Sequence, residues 1–376
     1  MQVGAHCLRV TPARVWLPLA RFDGQSADAS LSTENRRVDG GSRRTHRPGR
    51  QIISHASGHA AVERDRRACL RSAGPGPSPY ARVPAEPTWT VVDYGHELRF
   101  GAFITPASAQ ADLVVDLAVA AEQAGLDLVT FQDHPYQPRF LDTWTLLSYV
   151  AARTERVMLS PNVANLPLRP PAVLGRSAAS LDRLSGGRVE LGLGAGAFWD
   201  AIAALGGPRR TPGQAVAALR EAVTVIRAAW ERGDTRFDGE YYSSRGAKPG
   251  PQPLHDIGIW VGAYGPRMLE LVGAVADGWL PSLGRMSARE VVEGNARVDD
   301  AARTAGRDPA EIVRLANVQG ELTPATIGDW VGRLAELALD QGFSTFIFAS
   351  DDADGLALVG GEIAPAVRER VAAART

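Results

Sequence analysis

Lysine is almost missing from this chain: Lys248 stands alone, and arginine supplies the rest of the positive charge. With heavy Ala, Gly and Pro usage, that bias points to a GC-rich coding sequence, which bears on origin and excludes no function. Only two cysteines occur, Cys7 and Cys69. The chain beyond residue 96 therefore has no disulfide framework, no thiolate metal site and no cysteine nucleophile, which fits a reducing cytoplasm. No uncharged apolar run reaches the roughly 18 residues that a transmembrane helix needs. Leu8 to Ala20 contains Arg9, Pro12, Arg14 and Pro18, which interrupt any signal-peptide core, so a cytoplasmic location is expected. Excess charge is missing too. Forty-one basic against 42 acidic residues give a formal net charge of −1, with no general attraction to nucleic acid or membrane.

That neutral total hides an asymmetry. Arg36-Arg37, Arg43-Arg44 and Arg66-Arg67 make the first part basic, so the remainder is acidic. Residues 1–95 mix Arg, Ser, Gly and Pro without apolar periodicity, and Gly74-Pro75-Gly76-Pro77-Ser78-Pro79 cannot continue a regular element. They are expected to be a disordered extension. It reads either as a passenger from a misassigned start or as a basic arm for nucleic acid. An RNA-binding arm usually sits on a basic domain; this one precedes an acidic domain, so no nucleic-acid partner is expected.

From Leu98 the pattern changes to alternating short apolar runs and helix-length segments over residues 96–376. Strands are expected at Leu98–Ile104, Leu128–Phe131, Val157–Ser160, Val189–Leu193, Ile257–Gly262, Gly278–Pro281, Ile312–Val318 and Ser344–Phe348. Helices are expected at Gln110–Ala124, Trp144–Ala152, Val173–Leu184, Gln214–Trp230, Arg267–Val275, Ala288–Thr304, Ile327–Leu339 and Leu356–Val371. A Tyr-, Gly- and Pro-rich excursion near 232–256 reads as a short hairpin and a loop. Eight strand–helix repeats match a (β/α)8 TIM barrel. A doubly wound sheet would open on a glycine-rich turn after strand one, and here Thr105-Pro106 stands there.

Barrel enzymes carry their chemistry at the carboxyl ends of the strands. Asp133 and His134 follow strand two directly, where an imidazole can exchange a proton near neutral pH. The same pair also reads as a solvated turn in which Asp133 caps the next element. After strand three, Asn162 and Asn165 offer amide hydrogen bonds, although Pro161 and Asn162 equally suit an ordinary turn. Gly192, Gly194 and Gly196 strip one face of strand four, either for ligand approach or for close packing. Gly265 with Pro266 at a helix start leaves backbone N–H groups free for an anion, and Arg267 adds charge. Glu190 is opposite in phase to Val189, Leu191 and Leu193, which turns it toward the barrel interior and demands a partner. No His/Glu cluster has metal-ligand spacing, and no metal is expected; neither a Walker loop nor a Gly-x-Ser-x-Gly elbow is present.

Taken in order, these motifs resemble the bacterial luciferase-like family of flavin- and deazaflavin-dependent oxidoreductases. The likeness includes Asp133-His134, Pro161-Asn162-Val163 and the run from Leu181 through Ser185-Gly186-Gly187 into Leu191-Gly192-Leu193-Gly194. It continues through Phe237-Asp238-Gly239-Glu240-Tyr241-Tyr242, Pro249-Gly250-Pro251-Gln252, Gly265-Pro266-Arg267 and Ala276-Asp277-Gly278-Trp279. The resemblance implies a barrel with one insertion, a homodimer, and a flat ring at the barrel mouth. It also implies a cis peptide at Asn162–Val163 against that ring. Asn162, Val163, Asn165, Gly194 and Gly196 would then touch the cofactor, and Tyr264, Gly265, Pro266 and Arg267 would hold its phosphate.

An Asp-His pair after strand two resembles the deazaflavin branch. The expected cofactor is therefore coenzyme F420, with FMN as the alternative. The expected activity is hydride transfer between F420 and a small organic substrate. His134 would give or take the proton, and Asp133 would orient it or bind the ring. An FMN-dependent monooxygenase and a flavin-binding barrel without turnover are the rivals. In the sugar-phosphate dehydrogenases of the branch a glutamate follows the strand-four glycines. Ala197-Phe198-Trp199 stands there in this chain, so an apolar or aromatic substrate is expected instead.

Overall fold

Parallel strands buried on both faces and followed by amphipathic helices have one economical closure, a barrel. The computed structural model describes residues 92–231 and 235–376. The expectations for 1–91, including the two cysteines, fall outside the described residues. The order is β1 (Arg99–Ile104), α1 (Ala111–Gln123), β2 (Leu128–Phe131), α2 (Thr143–Ala151), β3 (Met158–Pro161), β4 (Ala164–Asn165) and α3 (Pro171–Ser185). Then come β5 (Leu191–Gly194), α4 (Trp199–Ala204), α5 (Pro212–Trp230), β6 (Thr235–Asp238), β7 (Ser243–Ala247), β8 (Ile259–Val261) and α6 (Pro266–Val275). The chain finishes with β9 (Gly278–Trp279), α7 (Ala288–Thr304), β10 (Val313–Val318), α8 (Ile327–Gln341), β11 (Phe343–Ala349), α9 (Ala353–Leu358) and α10 (Ala364–Arg375).

The main sheet runs β3-β2-β1-β11-β10-β9-β8-β5-β4, all parallel. Its two ends meet where Leu159 N–H donates to Arg188 O (2.7 Å) and Glu190 N–H to Leu159 O (2.9 Å). The ring is closed. β3 and β4 are one stave broken at Asn162–Val163, so nine segments make eight staves. Strand periodicity sorts the side chains. Phe100, Ala102, Ile104, Leu191, Leu193, Phe346 and Phe348 pack outward against the helices, while Leu128, Trp260, Leu280, Leu315 and Ile347 fill the barrel. β6 and β7 form the expected hairpin outside the barrel. The Glu221 carboxylate pins it by accepting from the backbone N–H of Glu240, Tyr241 and Tyr242.

Three local departures have local causes. The fourth stave begins at Leu191 rather than Val189, because Val189 pairs across the seam with Leu159 instead of along β8. α4 was not anticipated; it is a single short turn of helix between β5 and α5. The expected last helix is split by a π turn at Val359–Ile363. A Cβ on Gly360 would lie 2.0 Å from Ala124 O, so the chain there runs directly against the end of α1, and Pro365 then starts the next helix.

The bottom of the barrel is closed by the segment before β1. Val92 N–H donates to Asp340 O, and the Tyr94 hydroxyl donates to Asp299 Oδ1 (2.6 Å). Arg314, fully buried at the start of β10, pairs with Asp299 and lies 4.7 Å from the Tyr94 ring centroid. Nearby, Glu190 has the partners its interior position requires. Its Oε2 accepts from Gly258 N–H at 2.6 Å, and His255 Nε2 lies 3.9 Å from Oε1. His255 Nδ1 is 2.8 Å from the buried Asp182 carboxylate.

The Glu190 carboxylate raises the His255 pKa above its ordinary value, with burial opposing it and Asp182 adding to the effect. A raised imidazole pKa stabilises the fold below the unfolded value, about 6.5, and that contribution disappears as pH rises through the folded value. Thermal stability is therefore expected to fall between those two points. His255→Gln should lose that component of the pH dependence, as measured by melting temperature across mildly acidic to alkaline buffers.

Candidate active site

Chain leaving β2 turns at Gln132, whose carbonyl accepts from Thr143 Oγ1. This delivers Asp133 inward and His134 to the mouth. Asp133 is 2 % exposed, and both carboxylate oxygens are taken. Arg169 donates Nε to Oδ2 (2.6 Å) and Nη2 to Oδ1 (2.7 Å), and Asn165 N–H donates to Oδ2 (2.8 Å). Arg169 also reaches Asp142, the N-cap of α2. Burial works against the Arg169 charge, but Asp133 and Asp142 outweigh it and hold its pKa above the ordinary value. No hydrogen bond joins Asp133 to His134; the carboxylate ties β2 to the chain after β4.

His134 Nδ1 lies 2.7 Å from the Tyr136 hydroxyl. Its ring touches Tyr136, Phe140 and, edge-on, Phe198, with centroids 5.4, 6.5 and 5.7 Å away. Burial in this aromatic setting lowers the His134 pKa; Arg285 lowers it further, and Asp133 opposes both. Neutral imidazole is thus the resting form near pH 7, ready to accept a proton. Burial, assisted by Asp133, pushes the Tyr136 phenol up to about 12 against a hydrogen bond from Asn165, so it stays protonated.

Beside this cluster opens a cavity of about 700 Å³. Its base is Val163, reached through a cis Asn162–Val163 peptide. A Cβ on Gly194 would come 2.6 Å from Val163 Cγ2, and one on Gly262 would come 3.5 Å from Cγ1. Gly194 therefore gives up its side chain to make room for the valine, whereas a Cβ at Gly262 would rest in ordinary contact with it. Trp199 and Tyr264 stand on the wall, with the Tyr264 hydroxyl accepting from Ser282 N–H.

At the rim, α6 begins with Gly265 as N-cap and Pro266 as first residue, and no side chain caps it. The N–H groups of Gly265 and Arg267 meet no acceptor among the described residues. The Arg267 guanidinium lies 3.6 Å from where a Gly213 Cβ would be, beside the start of α5. That second helix start is already closed by a Thr211–Gln214 capping box, so the open donors belong to α6 alone.

Of the residues singled out from sequence, Val163, Asn165, Gly194, Gly196, Tyr264, Gly265, Pro266 and Arg267 share this one cavity. Asn162 is not on its wall. Its amide is spent on Asn317, donating to Oδ1 (2.7 Å) and accepting from Nδ2 (3.1 Å), so it is not free for a ring. Asp133 and His134 adjoin the cavity through Asn165 rather than lining it. Sequence reading missed Tyr136, Arg169 and Asn317. Tyr136 carried a signal, being two residues beyond His134; the other two lie 36 and 155 residues from the groups they bond.

This arrangement has counterparts in known proteins. Residues 96–319 match the model of the luciferase-like monooxygenase family. The F420-dependent glucose-6-phosphate dehydrogenase of Kineococcus radiotolerans is 29% identical over 304 residues, covering 72% of this chain and 89% of that protein. Two solved structures share the fold at low identity. The F420-dependent tetrahydromethanopterin reductase of Methanopyrus kandleri has a TM-score of 0.59 at 20% identity, and an F420-dependent secondary alcohol dehydrogenase has 0.61 at 18%. Each alignment covers 72% of this chain and 99% of the other. Eight closed staves, the Asn162–Val163 cis peptide and a family match spanning more than half the sequence make this chain a member of the luciferase-like monooxygenase family.

Proposed function

We propose that this protein is a coenzyme F420-dependent oxidoreductase acting on a small organic alcohol or carbonyl compound. The observation that carries the proposal is the joining of a base formed by Val163 beside Gly194 and Gly262 to an uncapped helix start at Gly265–Arg267. A flat ring fits the first, and a phosphate fits the second. The dehydrogenase relatives are F420-dependent by name, which favours the deazaflavin over FMN.

Val163, Asn165, Gly194 and Gly196 would face the ring, while Tyr264, Gly265, Pro266 and Arg267 would hold the phosphate. When bound, the deazaflavin supplies two-electron hydride chemistry. His134 takes the proton from a substrate hydroxyl, or returns it to a carbonyl oxygen, at the ring nitrogen not engaged by Tyr136. Asp133 and Arg169 act at a distance, fixing the loop that carries the imidazole. Phe198 and Trp199 present apolar surface where a charged substrate would need donors, so an apolar or aromatic substrate suits the mouth better than a sugar phosphate. The unit proposed is residues 96–376 with its insertion at about 232–256, working as a cytoplasmic homodimer behind a dispensable extension.

Spectroscopic titration of the purified protein with F420 and with FMN tests the cofactor. Saturable F420 binding is expected. Arg267→Glu should weaken it roughly tenfold or more, since hydrogen bonds to charged groups are worth about 1.5–3 kcal/mol. Binding of FMN alone would move the assignment to the monooxygenase reading, and binding of neither would end it.

A further inference from the structure

Polar side chains aimed into a barrel must be satisfied by one another. Asn162 follows the end of β3, and Asn317 is on β10. These two staves stand opposite in the ring, separated by β2, β1 and β11 on one side and by β5, β8 and β9 on the other. Their amides nevertheless meet head to head. Asn162 Nδ2 donates to Asn317 Oδ1 (2.7 Å), and Asn317 Nδ2 donates back to Asn162 Oδ1 (3.1 Å). The second hydrogen of each amide is spent too, from Asn162 on Thr130 Oγ1 and from Asn317 on Ser282 Oγ, both at 3.3 Å. Exchanging oxygen and nitrogen in one amide would set donor against donor, so the pairing fixes both orientations.

We infer that Asn317 is a positioning residue that spans the barrel and fixes the two halves of the cavity against each other. Toward β3 it holds Asn162, the residue directly before Val163 at the cavity base. Toward the far wall it holds Ser282 Oγ, and Ser282 N–H donates to the Tyr264 hydroxyl at 3.0 Å. The Asn162 end is anchored in turn, since Thr130 Oγ1 donates to Ala102 O on β1. A ladder bond sets the spacing of adjacent strands only. This amide pair sets the spacing of staves that share no backbone contact, and so the gap between the Val163 base and the Tyr264 wall. A rigid flat ligand gains from a gap set in advance, because binding then orders nothing further. Asn317 itself is not on the cavity wall, so its effect passes entirely through Asn162 and Ser282. The role rests on the proposed cofactor reading, which supplies the flat ligand.

Fluorescence titration of the full-length protein with F420, and with the same deazaflavin lacking its phosphate, separates the cavity base from the rim. Asn317→Leu is close in volume and has no polar side-chain atom. It is expected to weaken both ligands roughly tenfold, about the worth of one strong hydrogen bond. Arg267→Glu should weaken F420 alone, since the second ligand has no phosphate to hold. Ser282→Ala cuts only the link to the wall, keeps the N–H on Tyr264, and should give a smaller loss with both ligands. Melting temperatures keep every titration well below unfolding. An Asn317→Leu protein that binds both ligands as the wild type does overturns the inference, as does one that loses F420 alone, which would place the effect at the phosphate. If Asn317→Leu does not fold, Ser282→Ala decides, and wild-type affinity in that variant overturns the inference. A wild type that binds neither ligand ends the cofactor reading and this inference together, whereas wild-type binding that the variants leave unmoved ends this inference alone.

Discussion

His134→Ala is expected to lower turnover by about 10²–10⁴-fold, the usual range for a lost general acid–base group, while F420 affinity stays unchanged. The reason is geometric. His134 is a titratable side chain at the mouth that no ion pair engages, since Asp133 and Arg169 occupy each other. It also sits beside the cavity rather than in it, so its removal should not disturb the ring. The measurement is steady-state reduction of F420 with a panel of secondary alcohols and glucose 6-phosphate, at saturating cofactor. Undiminished turnover in the variant would strip His134 of its role. Robust activity with the sugar phosphate would instead overturn the apolar-substrate assignment and leave His134 in place. His134→Gln tests the same point with less change of volume among Tyr136, Phe140 and Phe198.

Arg314→Ala is expected to cost about 3–5 kcal/mol of stability, the penalty for stranding one member of a buried ion pair. Arg314 is fully buried and Asp299 is 5 % exposed, so neither charge can be rehydrated without opening the barrel bottom. Tyr94 would lose its cationic neighbour, and Asn295 the Nε donor that its Oδ1 accepts. Urea unfolding followed by circular dichroism gives the free energy. The double variant Arg314→Met with Asp299→Leu should recover much of the loss, because two apolar side chains need no partner. Arg303 Nη2 also lies 3.3 Å from Asp299 Oδ2, so a single Arg314→Ala variant as stable as the wild type would show that Arg303 or water takes over the pairing.

Most of the barrel was legible because each stave is a short apolar run bounded by a helix whose start or stop is written locally. Ser287 with Glu290 opens α7, and Gly186 and Gly342 take left-handed caps after α3 and α8. The π turn before α10 was not legible, since Gly360 is explained only by Ala124, far away in sequence. The site divides the same way. Most cavity residues fall in three contiguous motifs, each at the carboxyl end of a strand, and chain order gathers them; the fourth lining segment, at the start of α5, carried no such signal. The partners of those residues were invisible. That Asn162 is spent on Asn317, and that Asp133 answers to Arg169 instead of its neighbour His134, depends on which staves adjoin or face one another across the ring. No spacing rule within one segment reports that.

Val163 and Gly194 also constrain how this chain can change. A valine methyl occupies the space where a side chain at 194 would be, so the two positions are one unit of substitution. Any variant that places a side chain at 194 must first surrender bulk at 163, and the base of the cavity would then be built from the other stave. The surface that meets a ligand can thus be exchanged between strands, but not enlarged on both.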